Sequence, residues 1–223
     1  RLLEALTEPD VPAAVAGACL AALRCRGETA EEVRGFARAL RALARRPALP
    51  DVGPTLDIVG TGGDGSHTFN VSTGAALLAV AAGARVVKHG NRSISSRSGS
   101  ADLLEALGLP IPLDESAAAR CLEDTGFTFL FAPHYHPAMK SVAPVRAAMG
   151  VRTVFNILGP LTNPAAPGFH VIGAMHHHVA PRGHRRDVDV LELEVRRVVV
   201  GIPHLDTHAH AREPGQEAAA VGV

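Results

Sequence analysis

The chain opens with an Ala-rich apolar stretch over 11–23 that is interrupted at 24–27. Thr29 then stands where a helix N-cap belongs, with Glu31 and Glu32 in the first turn, and the pattern runs helically through Arg46 to the stop at Pro47. A Pro-containing linker over 47–54 separates this module from the rest. Beyond it, short apolar runs alternate with helix-like segments. The pattern predicts strands at 56–59, 85–88, 127–132 and 153–158. It predicts helices at 73–82 (stopped by Gly83), 102–107 (stopped by Gly108), from an Asp114 cap to about Asp124, and at 137–149 (stopped by Gly150). Such alternation points to an α/β domain with a mainly parallel sheet. The expected organisation is a small helical domain over 1–47, an α/β domain over 54–172 and an atypical tail over 173–223. The helix at 137–149 is a candidate to pack with the helical domain.

Two polar loops interrupt this pattern, GTGGDGSHTFNVST at 60–73 and KHGNRSISSRSGS at 88–100. Both lie between a strand and a helix and are dense in Gly, Ser, Thr and Asn. Glycines let main-chain N–H groups approach phosphate oxygens, and a following helix N-terminus adds positive potential. Gly60 to Gly65 also satisfies G-x-G-x-x-G after a strand, the pattern of a dinucleotide site. That reading needs an acid at the end of the next strand; Lys88-His89 stands there instead and suits another phosphate. A ligand-free glycine turn is the alternative for the first loop taken alone. Asn70, Ser72 and Thr73 stand at the helix start, where their oxygens either cap the helix or face a ligand. Ser72 is also a candidate Mg²⁺ ligand, because that ion takes oxygen donors and phosphates. Lys88 and Arg92 offer cations around Gly90 and Asn91, and Ser95, Ser96 and Ser100 offer hydroxyl and backbone donors.

Composition narrows the class. The chain has 223 residues, is 47% hydrophobic, and contains one Tyr and no Trp, as in an Ala-rich α/β protein with ample length for a core. A formal net charge of zero gives no general case for nucleic acid or an anionic membrane as partner. Cys19, Cys25 and Cys121 are scattered over helix-like segments, which argues against a disulfide framework or zinc site and for a reducing cytoplasm. No apolar run reaches the roughly 18 residues of a spanning helix. The chain begins with Arg1 rather than Met, so upstream targeting information stays open.

Three motifs, GTGGDGSHTFNVST, KHGNRSISSRSGSADLLEALG and FAPHYHPAMKSVAPVRAAMGVRTVFNILGPLTNPA, together resemble the anthranilate phosphoribosyltransferases, a family of tryptophan-pathway enzymes. The resemblance is collinear from about Leu2 to Ile172. Pyrimidine nucleoside phosphorylases share the general fold, but KHGNR and NILGPLTNP resemble the anthranilate enzymes specifically. The resemblance implies a small helical domain on a larger α/β domain, a homodimer, and substrates meeting between the domains. It implies a phosphoribosyl pyrophosphate site lined by Gly60, Gly63, Asp64, Thr68, Asn70, Val71, Ser72, Thr73, Lys88, His89, Gly90, Asn91, Arg92, Ser93, Ile94, Ser95, Ser96 and Ser100, with Ser72 on Mg²⁺. Asn91 and Arg146 would contact anthranilate, with Gly60 bordering both substrates. Arg146 also makes sense alone, since a planar guanidinium suits a carboxylate; the plainer reading is an exposed helix arginine. His136, after Tyr135, falls where the family has a wall of the anthranilate channel; the plainer reading is a helix-start cap. The implied reaction displaces pyrophosphate from the ribose anomeric carbon by the aniline nitrogen.

After Gly173 the text changes character, and seven of the twelve histidines follow, including His176-His177-His178 and His184. The resemblance calls for further strand–helix units and an adjacent Asp-Glu pair that holds magnesium. Asp206 in HLDT is a faint counterpart, with Thr207 in the place of Glu, and a strand is a candidate at 196–200. Three readings stand open: a histidine metal site, a divergent domain end, and a frame change or truncation. The Arg, His, Ala, Pro and Gly content favours the third, as a shifted frame of a GC-rich gene would. With the sheet so shortened, a second functional reading is a catalytically impaired remnant that retains phosphate-ligand binding.

Overall fold

The computed structural model describes residues 1–8, 10–61, 69–93 and 98–173, and the backbone of 198–201. Its first layer is helical: α1 (Leu2–Thr7), α2 (Ala13–Arg26) and α3 (Ala30–Leu43). Thr29 starts α3 with a reciprocal cap. Its hydroxyl accepts the Glu32 N–H at 3.2 Å, and its own N–H donates to the Glu32 carboxylate at 2.9 Å. Val33, Phe36, Ala37 and Leu40 then recur on one face of α3 and are buried, which drives the helix onto its neighbours.

The α/β part runs β1 (Thr55–Gly60), α4 (Val71–Ala81), β2 (Arg85–Gly90), α5 (Ser100–Ala106), α6 (Glu115–Thr125) and β3 (Phe127–Phe131). Next come α7 (Ala132–Tyr135), α8 (Met139–Met149) and α9 (Phe155–Leu158), then a 3-10 turn at Gly159–Leu161 and the strands β4 (Phe169–Gly173) and β5 (Val198–Gly201). The sheet order is β3-β2-β1-β4-β5, and each adjacent pair is parallel. Ile58, Val86, Phe127 and Phe129 pack with Ala76 of α4 and with Ala101 and Leu104 of α5 on one face. Val87 and Leu130 pack with Leu113, Ala118, Leu122 and Tyr135 on the other. A third cluster joins Leu3, Leu20, Phe36 and Leu40 to Val142 and Val145 of α8 and to Phe155 and Leu158 of α9. Full burial of each such side chain contributes roughly 1.5–3 kcal/mol, so the late helices are anchored in the first layer although three strands precede them in sequence.

The segment 153–158 corrects the sequence reading: it is α9 and its lead-in, not a strand. Val154, Phe155, Leu158 and Leu161 are buried at helical spacing, in the helical cluster. Thr153 and Asn156 tie the turn from both sides, with Thr153 N–H donating to Asn156 Oδ1 at 3.0 Å and Asn156 N–H to Thr153 O at 2.9 Å. Helix α2 continues through Arg24 to Arg26, and α3 ends at Leu43, short of Arg46. There Ala44 is extended and the Arg45 N–H donates to Tyr135 O at 2.8 Å, which draws the chain off the helix axis. Helices α1 and α7 and strand β4 were not legible in the pattern. Each is short, and FHVIG in β4 carries a histidine within its apolar run.

Candidate functional site

Both polar loops leave the carboxyl ends of neighbouring central strands, the first after Gly60 of β1 and the second after Gly90 of β2. Asn70 precedes α4 without capping it. Its amide donates instead to Ser98 Oγ and Gly99 O, each at 3.3 Å, so it ties the end of the first loop to the second. Val71 is exposed, Ser72 is half-buried, and Thr73 faces inward, its hydroxyl without a partner among the described residues.

Asp102 organises the second loop. Its Oδ2 accepts the N–H groups of Ser93 at 3.1 Å and Gly99 at 2.7 Å, one from each end of the loop. The Ala101 N–H donates to Asn91 O at 3.3 Å. A Cβ on Gly99 would collide with the Ser93 nitrogen and the Arg92 carbonyl carbon, so the closure requires glycine there. Ser100 opens α5 and packs beside Gly90.

The two cations of the loop differ. Arg92 is exposed and forked onto acids: it pairs with Glu105, one N–H donating at 2.5 Å, and donates to Asp102 at 3.1 Å. Those carboxylates hold its guanidinium charged, so Arg92 is engaged within the loop rather than left as a bare cation for phosphate. Lys88 is fully buried. Its ammonium donates to Ile58 O and lies 3.4 Å from Ser72 Oγ, under the start of α4. Burial pulls its pKa down to about 8, and the nearby Asp57 carboxylate opposes that shift.

Asp57 and Asn163 belong to the same arrangement and were missed in the sequence. Asn163 Nδ2 donates to Asp57 Oδ2 at 2.9 Å and to Val87 O at 2.8 Å. Burial pushes the Asp57 carboxyl up to about 6, against the pull of Lys88 and of the hydrogen bonds from Asn163 and the backbone. An acid inside the apolar run LDIVG was the available signal for Asp57; an acid three residues after Gly99 was the signal for Asp102.

His89 is buried on the helical-layer side, with Nδ1 3.2 Å from Gly159 O, and burial lowers its pKa to about 3. The ring is therefore neutral, and Nε2 has no partner among the described residues. His136 packs edge-on against it at 5.1 Å between centroids and follows α7, so it is no helix-start cap. Tyr135 points away: its hydroxyl donates to Leu113 O at 3.3 Å in the core. Arg146 is half-buried, with its guanidinium 5.2 Å from the Phe155 ring centre and with no ion pair among the described residues. Desolvation lowers its pKa, which is not the state of a solvated surface arginine.

Gly63, Asp64, Thr68, Ile94, Ser95 and Ser96 lie outside the described residues, as do Asp206, Thr207 and the histidines at 176–178 and 184. Among the described residues no three His, Cys, Asp or Glu side chains converge on a metal position. Ser72 offers one hydroxyl oxygen beside an ammonium. That donor set fits Mg²⁺ only within a shell completed by phosphate oxygens and water, which is how that ion is commonly held.

A helical layer joined to a parallel sheet, with two tied glycine-rich loops at the strand ends, defines a two-part α/β protein. The chain belongs to the glycosyl transferase family: residues 1–44 match its helical bundle domain and 52–211 its a/b domain. It is 50% identical over 176 residues to anthranilate phosphoribosyltransferase of Cupriavidus necator, covering 79% of this chain and 52% of that one. It is 53% identical over 175 residues to the same enzyme of Stenotrophomonas maltophilia, covering 78% and 51%. Among solved structures it resembles the Thermus thermophilus anthranilate phosphoribosyltransferase with a TM-score of 0.79 and 48% identity, over 90% of this chain and 60% of that one. The Saccharomyces cerevisiae enzyme in complex with PRPP and Mg matches with a TM-score of 0.69 and 35% identity, over 77% and 50%. The chain thus spans about half the length of the curated relatives it matches. The family match continues to residue 211, past the Gly173 at which the sequence resemblance was placed as ending, and β5 extends the sheet beside β4.

Proposed function

We propose that this chain carries the phosphoribosyl pyrophosphate and anthranilate sites of an anthranilate phosphoribosyltransferase acting in tryptophan biosynthesis. One observation carries the reading: a buried ammonium, Lys88, sits at the junction of two glycine-rich loops that are tied to each other through Asn70. Helix α4 begins there and adds the positive end of its dipole. The first loop, with Gly60, Gly63, Asp64, Thr68 and residues Asn70 to Thr73, and the second, from Lys88 to Ser96 with Ser100, would hold the phosphates and ribose. Mg²⁺, bound with the pyrophosphate and Ser72, would supply neutralisation of the leaving group.

Arg146 supports the second substrate. A half-buried guanidinium resting on an aromatic ring favours a planar carboxylate as its ligand. Asn91, Gly60 and the neutral pair His89 and His136 would border the same space. The aniline nitrogen is neutral at pH 7 and attacks the anomeric carbon as pyrophosphate departs, so the residues chiefly align the reactants and stabilise the departing charge. A homodimer in the cytoplasm is part of the proposal. No helix among the described residues is long and apolar enough to cross a membrane. The other reading, binding without turnover, draws support from Thr207 standing where the Asp-Glu pair would need its acid.

Calorimetry on Arg146→Ala tests the anthranilate assignment. About 10- to 100-fold weaker anthranilate binding is expected, with phosphoribosyl pyrophosphate affinity unchanged. Equal loss of both ligands would sink it. Loss of anthranilate fluorescence on adding phosphoribosyl pyrophosphate and Mg²⁺ separates a working enzyme from a binding remnant.

A further inference from the structure

The seam between β1 and β2 opens early. These strands are in register at Thr55↔Arg85 and Leu56↔Val86 and at no later pair. On the flanks the ladders stay closed, β1–β4 to Gly60↔Gly173 and β2–β3 to Gly90↔Phe131. Strand order reverses between β1 and β4, the usual place for a ligand crevice, yet here the Thr61 N–H still donates to Gly173 O at 2.9 Å. The break in this sheet's ladder lies one strand over.

Side chains take the backbone groups that the open seam releases. The His89 N–H donates to Asp57 Oδ1 at 3.3 Å, Ile58 O accepts from the Lys88 ammonium, and Val87 O accepts from Asn163 Nδ2 at 2.8 Å. Asn163 also donates to Asp57 Oδ2 at 2.9 Å, which joins the substitutes into one network. Asp57, Lys88 and Asn163 are each at most 1% exposed. Buried main-chain groups are rarely left unpaired, so an unzipped seam at the centre of a sheet persists only with such replacements.

We propose that Asp57 and Asn163 are positioning residues that hold this seam open and thereby set the spacing of the Gly60 and Gly90 loops. The inference rests on the reading of those loops as the phosphoribosyl pyrophosphate cradle. Strands in a closed ladder lie about 4.8 Å apart, less than a phosphate group needs when it is hydrogen-bonded from both sides.

The test is calorimetric titration of the full chain with Mg²⁺ and phosphoribosyl pyrophosphate in Asp57→Asn and Asn163→Ala, with Ala118→Gly in α6 as a destabilised control away from the seam. Both seam variants should bind about 10- to 100-fold more weakly while circular dichroism shows them folded. The His89 amide resonance should move in both. Ala118→Gly should lower the unfolding temperature and leave affinity and that resonance in place. Wild-type affinity in the seam variants overturns the inference and leaves the functional reading standing. Affinity that falls in the control in proportion to its stability also overturns it, by reducing the seam to general support. A wild-type chain that binds no phosphoribosyl pyrophosphate overturns the functional reading and this inference with it. If Asp57→Asn does not fold, Asn163→Ala decides, because it removes a neutral donor and leaves the Asp57–Lys88 pair intact.

Discussion

The two faces of the central sheet are built on different rules. Toward α4 and α5 the face is Ile58, Val86, Phe127 and Phe129, with Lys88 as its polar member. Toward the helical layer it carries Asp57, His89, Thr128 and His170 among Val87, Leu130 and Ile172, all buried. Alternation places residues of one strand on opposite faces, so neighbours such as Thr128 and Phe129 obey both rules at once. The apolar face needs only side chains of suitable size, most of them supplied by helices close in sequence. The polar face needs partners of matching chemistry, and they come from afar: Asn163 is 106 residues from Asp57, and Gly159 is 70 residues from His89.

That contrast can be broken from either side. The largest effect is expected from Phe129→Ala, which opens a cavity in the apolar face and should cost about 3–5 kcal/mol in urea unfolding. A loss near 1 kcal/mol would mean that this face is loosely packed.

A smaller effect comes from acidification of the polar face. Burial, with the charge of Arg41 added and the Pro167 backbone partly opposing, lowers the His170 pKa from 6.5 to about 4. Its folded pKa therefore lies below its unfolded one, and on acidification the unfolded chain takes up the proton first. Stability falls as pH drops through 6.5 toward 4 and levels below that, by about 2 kcal/mol at pH 5 from this residue. Buried neutral His89 acts in the same direction. His170→Gln should flatten the slope of stability between pH 7 and pH 5; an unchanged slope would show that the ring is accessible to protons in the fold.

The smallest effect separates adjacent residues of β3. The Thr128 hydroxyl is buried and has no hydrogen-bond partner among the described residues, so Thr128→Val should raise stability by about 1 kcal/mol. A destabilised variant would reveal a bound water or a partner for that hydroxyl.

Much of the fold was readable because it rests on local rules. The Thr29 capping box, the Asp114 cap whose Oδ1 accepts the Ala117 N–H at 2.7 Å, and the short apolar runs of β1 to β3 follow from spacing alone. Spacing misled at 153–158, where a short apolar run fits either period and the destination of the chain decides. In the candidate site, the glycine-rich loops, Lys88 and Ser72 were legible as candidates from residue type, whereas Arg146 read by itself as an exposed helix arginine and is instead half-buried. Arg92 was legible as a cation, but its commitment to Asp102 and Glu105 was not.

By itself, then, the sequence determined the longer helices, strands β1 to β3 and which loops can approach an anion, since these follow from periodicity and from the backbone freedom of glycine. Tertiary structure decided what those groups are bonded to. The side-chain replacements along the β1–β2 seam depend on Asn163, 106 residues from Asp57, the burial of Lys88 on the packing of α4 over β2, and the neutrality of His89 on its desolvation in the folded chain. The physical reason is desolvation: once water is removed, a buried charge or N–H must find its partner in three dimensions, and no local pattern names that partner.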